Sequence, residues 1–263
     1  MISNLASIHP KAKIGTSVHI EPFVTVYSDV EIGDGTWIGS NVTVMNGARI
    51  GKTCKIFPGA VISAAPQDLK YAGEETFVEI GDNTTVREFV TINKGTKASG
   101  KTIIGKNCLL MAYVHVAHDC IIGNNCILAN GVTLAGHIVI DDFAIIGGLS
   151  AVHQFVHIGG HVMVSGGSLI RKDVPPFTKA AREPLAFVGI NSVGMKRRGF
   201  TDDKINEIQE IYRTLFQKGY TYNKALAIIE EELPESKERD EILSFVKTSN
   251  RGIMRGFSGE KDE

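Results

Sequence analysis

The chain has 263 residues, of which 43% are hydrophobic, and a formal net charge of −1. This composition is typical of a globular protein, and the nearly neutral charge argues against a general nucleic-acid binder. The first residues lack a basic segment followed by an apolar run, and no apolar stretch is long enough to cross a bilayer, so we predict neither a secretory signal nor a membrane span.

An aliphatic residue recurs at every sixth position from near the start of the chain. The first run comprises Ile8, Ile14, Ile20, Val26, Ile32, Ile38, Val44, Ile50, Ile56 and Ile62. Neither the 3.6-residue period of a helix nor the two-residue period of a strand produces this spacing. A parallel β-helix does, because one short strand and one turn use six residues and three such units close a triangular coil. We therefore predict a mainly β fold, with a prism of hexapeptide repeats over residues 1–177.

The series is interrupted twice. After Ile62 the next two in-phase positions are Asp68 and Glu74, which no apolar interior accepts, so we predict that residues near 63–77 leave the prism as a loop. A shorter interruption covers residues 97–101. Loops that leave a solenoid are common sites of function, although harmless surface decoration explains such loops equally well.

From residue 104 to residue 175 the period of six is unbroken. Its aliphatic positions are Ile104, Leu110, Val116, Ile122, Leu128, Leu134, Ile140, Ile146, Val152, Ile158, Val164 and Ile170. A mostly small residue follows each of them by four positions, which suits a narrow interior. The cysteines all occupy this small position: Cys54, Cys108, Cys120 and Cys126. We interpret them as packing residues rather than disulfides or metal ligands, and this usage is typical of a reducing cytoplasm.

The repeat length places polar residues of successive coils at one edge. If eighteen residues close a coil, Val116, Leu134 and Val152 lie above one another, about 4.8 Å apart. The turns that follow these residues carry His118, His137, His153 and Gln154. Because turn residues point outwards, we expect these side chains along a single edge, which is the candidate active site.

The chain changes character after the prism. Consecutive prolines near residue 175 end the ladder, and residues 178–200 form an irregular basic connecting segment. Its excess positive charge suggests phosphate groups nearby, although solvated charge alone would also produce it. Residues 201–257 are predicted to form a helical domain that folds back on the prism or contacts a neighbouring subunit. Its three helices are predicted from Thr201 to Gly219, from Thr221 or Tyr222 to Glu232, and from Ser236 to about Thr248, and residues 258–263 are predicted to be disordered.

The candidate edge allows two kinds of chemistry. A histidine beside a carboxylate, such as His118 with Asp119, can act as a general base, and the backbone N–H of Gly136 could stabilise an oxyanion. No nucleophile elbow is present, so direct attack by an acceptor hydroxyl is simpler than a covalent intermediate. A hydratase with three histidines on zinc stays open because His115 and His118 have the H-x-x-H spacing, but Gly136 and Gln154 suit an organic substrate better. A non-catalytic scaffold would explain the repeats but not the clustered edge.

Six sequence words resemble those of one family. They are QDLKYAGE at residues 67–74, HVAHDC at 115–120, LAGH at 134–137, AVHQF at 151–155, DVPPF at 173–177 and KRRGF at 196–200. In this order they are similar to the UDP-N-acetylglucosamine O-acyltransferase (LpxA) family over nearly the whole chain. The related N-acyltransferase of the same pathway carries a uridine-binding domain before its coils, whereas here the coils start at Ile8.

The resemblance implies a reaction and an assembly. The reaction is transfer of an (R)-3-hydroxyacyl group from acyl carrier protein to the glucosamine 3-hydroxyl of UDP-N-acetylglucosamine, the first step of lipid A synthesis. It implies no metal and no cofactor beyond the acyl carrier protein thioester, which is a co-substrate. It also implies a left-handed prism and a homotrimer with active sites between neighbouring subunits.

The resemblance also implies residue roles. The catalytic group comprises His118 as general base, Asp119 as its orienting partner and Gly136 as oxyanion donor. The residues expected to contact or line the pocket of the sugar are Asp68, Lys70, His115 and His137, with His153 in the same pocket wall. The residues expected to contact the nucleotide phosphates are Gln154, Arg197 and Arg198, and Asn191 is expected to contact the uridine.

Three further positions concern the acyl chain and the nucleotide. Gly166 matches the residue that sets acyl length, and a glycine there favours a long chain. Two positions depart from the family: Val193 replaces the usual glutamate near the nucleotide, and Ser165 replaces the commoner glycine beside the acyl cleft.

Overall fold

A computed structural model describes residues 1–256 as a prism of three parallel sheets with helices at one end. Sheet 1 contains, in spatial order, Ser7–Ile8, Thr25–Val26, Thr43–Val44, Val61–Ala64, Thr91–Asn93, His115–Val116, Thr133–Leu134, Ala151–Val152 and Leu169–Ile170. Sheet 2 contains Lys13–Ile14, Val30–Ile32, Ala48–Ile50, Phe77–Ile80, Lys101–Ile104, Ile121–Ile122, Val139–Ile140 and His157–Ile158.

Sheet 3 forms the third wall and extends beyond the hexapeptide repeats. Its strands are His19–Ile20, Trp37–Ile38, Lys55–Ile56, Thr85–Val86, Leu109–Leu110, Ile127–Leu128, Ile145–Ile146, Met163–Val164, Thr178–Ala181, Ala186–Ile190 and Arg255–Gly256. The architecture is that of a left-handed parallel β-helix, which confirms the predicted fold class.

The register along the prism is that of an eighteen-residue coil. In sheet 1, Val116 pairs with Leu134, and Leu134 pairs in turn with Val152. Because the same offset recurs in sheets 2 and 3, turn residues eighteen positions apart lie directly above one another. The predicted coil length is confirmed.

The interior consists of the aliphatic and small positions of each hexad. Ile122, Leu128 and Leu134 are almost completely buried, and the four cysteines are buried and free. Burial raises the pKa of the Cys120 thiol to about 12, so this thiol stays protonated at neutral pH. The interpretation of the cysteines as packing residues is confirmed.

Both predicted interruptions leave the coil. The first loop separates the strands Val61–Ala64 and Phe77–Ile80, and the second separates Thr91–Asn93 from Lys101–Ile104. Neither loop interrupts sheet 1, because Val61 pairs with Thr91 and Thr91 pairs with His115.

The prediction of an irregular segment after the prolines is wrong. Thr178–Ala181 continues sheet 3, with Met163 opposite Lys179, and pairs antiparallel with Ala186–Ile190. A short helix, α1, follows over Ser192–Arg197. Pro175 and Pro176 lie in the turn before Thr178–Ala181 and not in a strand, so their missing N–H groups do not prevent this strand from joining sheet 3.

Three longer helices follow where the sequence predicts them. They are α2 over Asp202–Phe216, α3 over Tyr222–Glu232 and α4 over Lys237–Thr248. The side chains of Thr201, Thr221 and Ser236 cap them by accepting backbone N–H bonds. The helices fold back on the prism: the Tyr212 hydroxyl donates to the Pro176 carbonyl over 2.6 Å. The predicted disorder of residues 258–263 lies outside the described residues.

The outer faces of sheets 2 and 3 carry both ion pairs and apolar side chains. Sheet 2 has ion pairs such as Lys13–Glu31 at 2.8 Å and Lys101–Glu79 at 3.0 Å. Sheet 3 presents a column of half-buried apolar side chains at neighbouring positions: Leu109, Ile127, Ile145 and Met163. Sheet 2 presents a similar column at the same coils: Ile103, Ile121 and Val139. Within residues 1–256, no helix combines the length and apolar character that a bilayer-spanning segment needs.

Candidate active site

The candidate site lies at the edge between sheets 1 and 2, where three successive turns carry polar side chains. The turn after His115–Val116 holds His118, the turn one coil above holds His137, and the next turn holds His153 and Gln154. The rings of His118 and His137 meet edge to face with 5.0 Å between their centroids. The structure therefore brings together the histidines that the eighteen-residue register aligns.

His118 and Asp119 form a buried hydrogen-bonded pair. Their exposed fractions are 6% and 4%, and His118 Nδ1 lies 2.8 Å from Asp119 Oδ2. A carboxylate only accepts hydrogen bonds, so the paired tautomer carries its proton on Nδ1 and leaves the lone pair on Nε2. This arrangement makes Nε2 of His118 available as a base.

The Asp119 carboxylate is also held by the second loop. It accepts hydrogen bonds from the Thr96 N–H at 3.0 Å, from the Thr96 hydroxyl at 2.7 Å, and from the N–H and hydroxyl of Ser99. Burial alone would raise the pKa of Asp119, but the hydrogen bonds from Ser99, His118 and Thr96 outweigh it and lower this pKa to about 2. Asp119 is therefore ionised at neutral pH.

Thr96 and Ser99 are site residues that the sequence analysis missed. The available signal was the interruption at residues 97–101, which falls just before the strand Lys101–Ile104. That strand pairs with Ile121–Ile122, immediately after His118 and Asp119. The loop that precedes Lys101–Ile104 therefore lies beside the turn that carries His118 and Asp119.

Gly136 lies against the His118 ring. A Cβ atom at this position would lie 2.5 Å from His118 Cε1 and 2.7 Å from Nε2, so a larger residue would displace the imidazole. Among the described residues, no acceptor takes the Gly136 N–H. A backbone donor thus lies beside the base, where an oxyanion hole would need one.

His137 and His153 have different surroundings. His137 Nε2 lies 3.8 Å from Asp119 Oδ2, and its ring stacks on Phe155 with a centroid separation of 4.7 Å. Phe155 was not singled out in the sequence analysis. His153 is exposed, and its Nδ1 lies 3.1 Å from the Gln154 carbonyl oxygen.

A cavity of about 450 Å³ opens beside this edge. Its walls include His118, Gly136, His115 and Gln154, together with Gln67 from the first loop. The size falls within the range of small-molecule sites, which is about 300–1,000 Å³. A substrate in this cavity would contact the base and the Gly136 N–H together.

The first loop and His115 contribute polar groups to the cavity. Asp68 Oδ2 lies 4.0 Å from His118 Nε2, while Asp68 Oδ1 accepts the Lys70 N–H over 2.9 Å. The Lys70 side chain is exposed. His115 Nδ1 lies 2.7 Å from the Thr91 hydroxyl, and burial lowers the pKa of His115, which keeps this ring neutral at pH 7.

A metal ion is the alternative occupant of the edge. Ligand atoms of His118, Asp119 and His137 lie within 4.8 Å of one another, so the donor types suit zinc. However, His118 Nδ1 and Asp119 Oδ2 are hydrogen-bonded to each other, and Thr96 and Ser99 occupy the remaining carboxylate positions. These contacts favour a histidine–aspartate base over a three-ligand metal centre.

Three of the predicted nucleotide-binding residues lie at another edge. Arg198 donates to the carbonyl oxygens of Phe143 at 3.3 Å and Gly194 at 3.1 Å, and Phe143 follows a strand of sheet 2 and precedes one of sheet 3. Asn191 is buried, caps α1 and donates to the His161 carbonyl over 2.9 Å. Arg197 is exposed, and no carboxylate among the described residues lies within 4.0 Å of it. Within one protomer these residues do not meet the His118 edge.

Gly166 lies at the third edge, between sheets 3 and 1. It is exposed, and a Cβ atom there would meet the Gly148 carbonyl oxygen at 3.1 Å, with no other carbonyl closer. Its neighbour Ser165 is also exposed, as is Val193 near the Asn191 cap. The His118 and Gly166 edges thus flank the outer face of sheet 1.

Comparison with family models gives two matches. Residues 29–64 and 101–136 match a model described as bacterial transferase hexapeptide (six repeats), and residues 173–254 match one described as UDP N-acetylglucosamine O-acyltransferase, domain 2.

Curated relatives match over almost their full length. A Thermodesulfovibrio yellowstonii protein is 46% identical over 255 residues, which is 97% of this chain and 99% of the relative. A Janthinobacterium protein is 44% identical over 260 residues, with the same two coverages of 97% and 99%. Both are named acyl-(acyl-carrier-protein)–UDP-N-acetylglucosamine O-acyltransferase.

Solved structures are equally similar. The UDP-N-acetylglucosamine acyltransferase of Bacteroides fragilis is 52% identical, with a TM-score of 0.96 and coverage of 97% of this chain and 100% of that one. LpxA from Acinetobacter baumannii is 41% identical, with a TM-score of 0.93 and coverages of 97% and 99%.

The contacts of Asp119 predict a pH-dependent effect of Ser99→Ala. The pKa of Asp119 is lowered from its ordinary value of about 3.9, so its hydrogen bonds stabilise the fold above about pH 4 and lose this effect as the pH falls towards 2. We expect Ser99→Ala to lower the free energy of unfolding by about 1–3 kcal/mol at pH 7. Denaturant unfolding at several pH values should show this difference shrinking below pH 4, and Ser99→Thr, which keeps the hydroxyl, serves as the control. A difference that does not vary with pH would contradict the account of Asp119.

Proposed function

The chain belongs to the UDP-N-acetylglucosamine O-acyltransferase family, and from this premise we propose that it transfers an (R)-3-hydroxyacyl group from acyl carrier protein to the glucosamine 3-hydroxyl of UDP-N-acetylglucosamine. The observation that carries this proposal is the His118–Asp119 pair, which lies at a cavity beside the Gly136 N–H. A base and an oxyanion donor are the two groups that direct acyl transfer to a hydroxyl needs.

The chemical step uses the lone pair on His118 Nε2. The base removes the proton of the 3-hydroxyl while the hydroxyl oxygen attacks the thioester carbonyl carbon. Ionised Asp119, at 2.8 Å from Nδ1, stabilises the imidazolium that forms. The N–H of Gly136 donates to the oxyanion, the C–S bond breaks, and the imidazolium returns its proton to the carrier thiolate.

The sugar is proposed to bind in the cavity beside His118. Asp68 and His137 are the proposed contacts of the sugar, because their polar atoms lie within 4.0 Å of His118 and Asp119 respectively. Lys70 and His115 are proposed to line the same pocket, with His153 in its wall. The carrier thioester is the proposed co-substrate, and no metal or other cofactor enters the step.

The nucleotide is proposed to span two protomers. Gln154 lies at the His118 edge, whereas Arg197, Arg198 and Asn191 lie at the edge between sheets 2 and 3. A homotrimer brings these edges together if the His118 edge of one protomer faces the second edge of its neighbour. The exposed guanidinium of Arg197 is then the better phosphate ligand, because Arg198 already donates to two carbonyl oxygens.

The faces of the prism support this assembly. The apolar column on sheet 3, with Leu109 and Ile127 among its members, and the apolar column of Ile103, Ile121 and Val139 on sheet 2 both suit burial against another subunit. The ion pairs of sheet 2 suit solvent. We place the enzyme in the cytoplasm, the compartment that keeps thiols such as the four buried cysteines reduced.

Removing the base tests the proposed mechanism. We expect His118→Ala to lower kcat by about two to four orders of magnitude with little change in stability, because a general base contributes that much. Turnover of UDP-N-acetylglucosamine with an acyl carrier protein thioester measures this. His9→Ala, at an exposed position on the same edge but five strands of sheet 1 away, is the matched control. Near-normal turnover in His118→Ala would remove His118 from the mechanism.

Mixing two inactive variants tests the shared site. If the nucleotide is held by a neighbour's Arg197, then His118→Ala and Arg197→Ala protomers that are unfolded together and reassembled should complement each other. Random trimers would contain about one quarter of sites with both native groups, and activity should recover to about that level. Reassembly of each variant alone should stay inactive. No recovery in the mixture would place both groups in one protomer's site.

The acyl chain tests the proposed role of Gly166. We expect Gly166→Met to shift the preference towards shorter acyl chains, because the new side chain would project from an exposed edge, with its Cβ already 3.1 Å from the Gly148 carbonyl oxygen. Competition between carrier thioesters of different length measures the shift, and Lys55→Met, which adds the same side chain at an exposed position elsewhere on the prism, is the control. An unchanged chain profile would refute this assignment.

A further inference from the structure

A second cavity, of about 600 Å³, lies at the helical end of the prism. It is enclosed by the last coil at Leu169, by α3 and α4, and by the segment that enters the strand Arg255–Gly256. It shares no lining residue with the catalytic cavity. The two cavities are neighbours along the prism, because Ala151 in the wall of the catalytic cavity pairs with Leu169 on the next strand of sheet 1.

The floor of this cavity is apolar. It is formed by Leu169, Leu185, Leu226, Val246, Ile253 and Met254. Met254 and Ile253 belong to the buried core, so the floor is fixed by packing rather than by mobile side chains. A surface of this kind favours an aliphatic chain, because burial of apolar area is worth about 25 cal/mol per Å².

The rim of the cavity is cationic. Arg171, Lys172, Lys247 and Arg255 line it, and no aspartate or glutamate of residues 1–256 does. Arg171 pairs with Glu183 at 2.9 Å and Lys247 with Glu230 at 2.7 Å, but these pairs are exposed and therefore weak. Within residues 1–256, no carboxylate lies within 4.0 Å of Lys172 or Arg255, which leaves two cations for a bound anion.

We propose that this cavity binds an amphipathic anion, an aliphatic chain that ends in a carboxylate or a phosphate. The chain would lie on the apolar floor, and the anionic group would meet Lys172 and Arg255 at the rim. In the described part of the chain, Tyr222 and Asn223 are the only neutral polar side chains that line the cavity, which is too few hydrogen-bonding groups to select a nucleobase. The inference goes beyond acyl transfer, because none of these residues belongs to the proposed catalytic machinery.

Calorimetric titration of the full chain with laurate, below its micellar concentration, tests the proposal. We expect saturable binding that Lys172→Glu/Arg255→Glu weakens at least about tenfold, since two favourable charges become unfavourable. Lys11→Glu/Lys55→Glu, at exposed positions elsewhere on the prism, carries the same charge change and should bind laurate as the native chain does. Dodecyl phosphate distinguishes the two anionic groups, and dodecanol should bind much more weakly than either.

Photo-crosslinking locates the bound chain independently of any variant. A laurate analogue with a diazirine at its methyl end should label peptides that contain Leu226, Val246 or Met254. Labelling confined to peptides around Leu149 and Gly166 would place the chain at the acyl edge and overturn the proposal. The absence of saturable laurate binding would also overturn the proposal. So would normal laurate binding by Lys172→Glu/Arg255→Glu together with a loss of affinity for acyl carrier protein, because that result would assign the two cations to protein docking.

Discussion

The closing of each coil by eighteen residues is the constraint on which the site depends. Strand pairing fixes the offset between Val116, Leu134 and Val152, and this offset stacks the turn residues that follow. His118 lies beneath Gly136 for this reason, and the missing side chain of Gly136 gives the imidazole its place. A change of one residue in the register would move the base away from the oxyanion donor, so the packing of an apolar interior sets the geometry of a polar site.

The electrostatics of the site depend on one buried carboxylate. Asp119 stays ionised because donors from the second loop outweigh the cost of its burial, and the ionised group fixes the tautomer of His118. Both loops that interrupt the repeat thus contribute polar groups to the His118 edge. The loop with Thr96 and Ser99 holds the carboxylate, while the loop with Asp68 approaches Nε2 of His118. The regular coils provide the spacing, and the interruptions provide the polar partners.

Periodicity predicted those parts of the structure that depend on local rules. The coil length, the buried cysteines and the helices capped by Thr201, Thr221 and Ser236 all follow from spacing and side-chain type. The path of a loop depends on long-range contacts instead, so Thr96 and Ser99 were not found, and the strand Thr178–Ala181 was missed because it joins a sheet built earlier in the chain. Charge and resemblance both suggested that Arg198 lies near phosphates, but its hydrogen bonds to two carbonyl oxygens became visible only in the fold.

The central claim is that the His118–Asp119 pair deprotonates a hydroxyl of a sugar nucleotide shared between protomers. A crystal structure of the protein with UDP-N-acetylglucosamine tests it most directly. The account predicts that the glucosamine 3-hydroxyl lies within hydrogen-bond distance of His118 Nε2, about 2.6–3.2 Å, with the phosphates near Arg197 of a neighbouring protomer. A sugar nucleotide bound with its 3-hydroxyl directed away from His118, or bound at another edge of the prism, would contradict it.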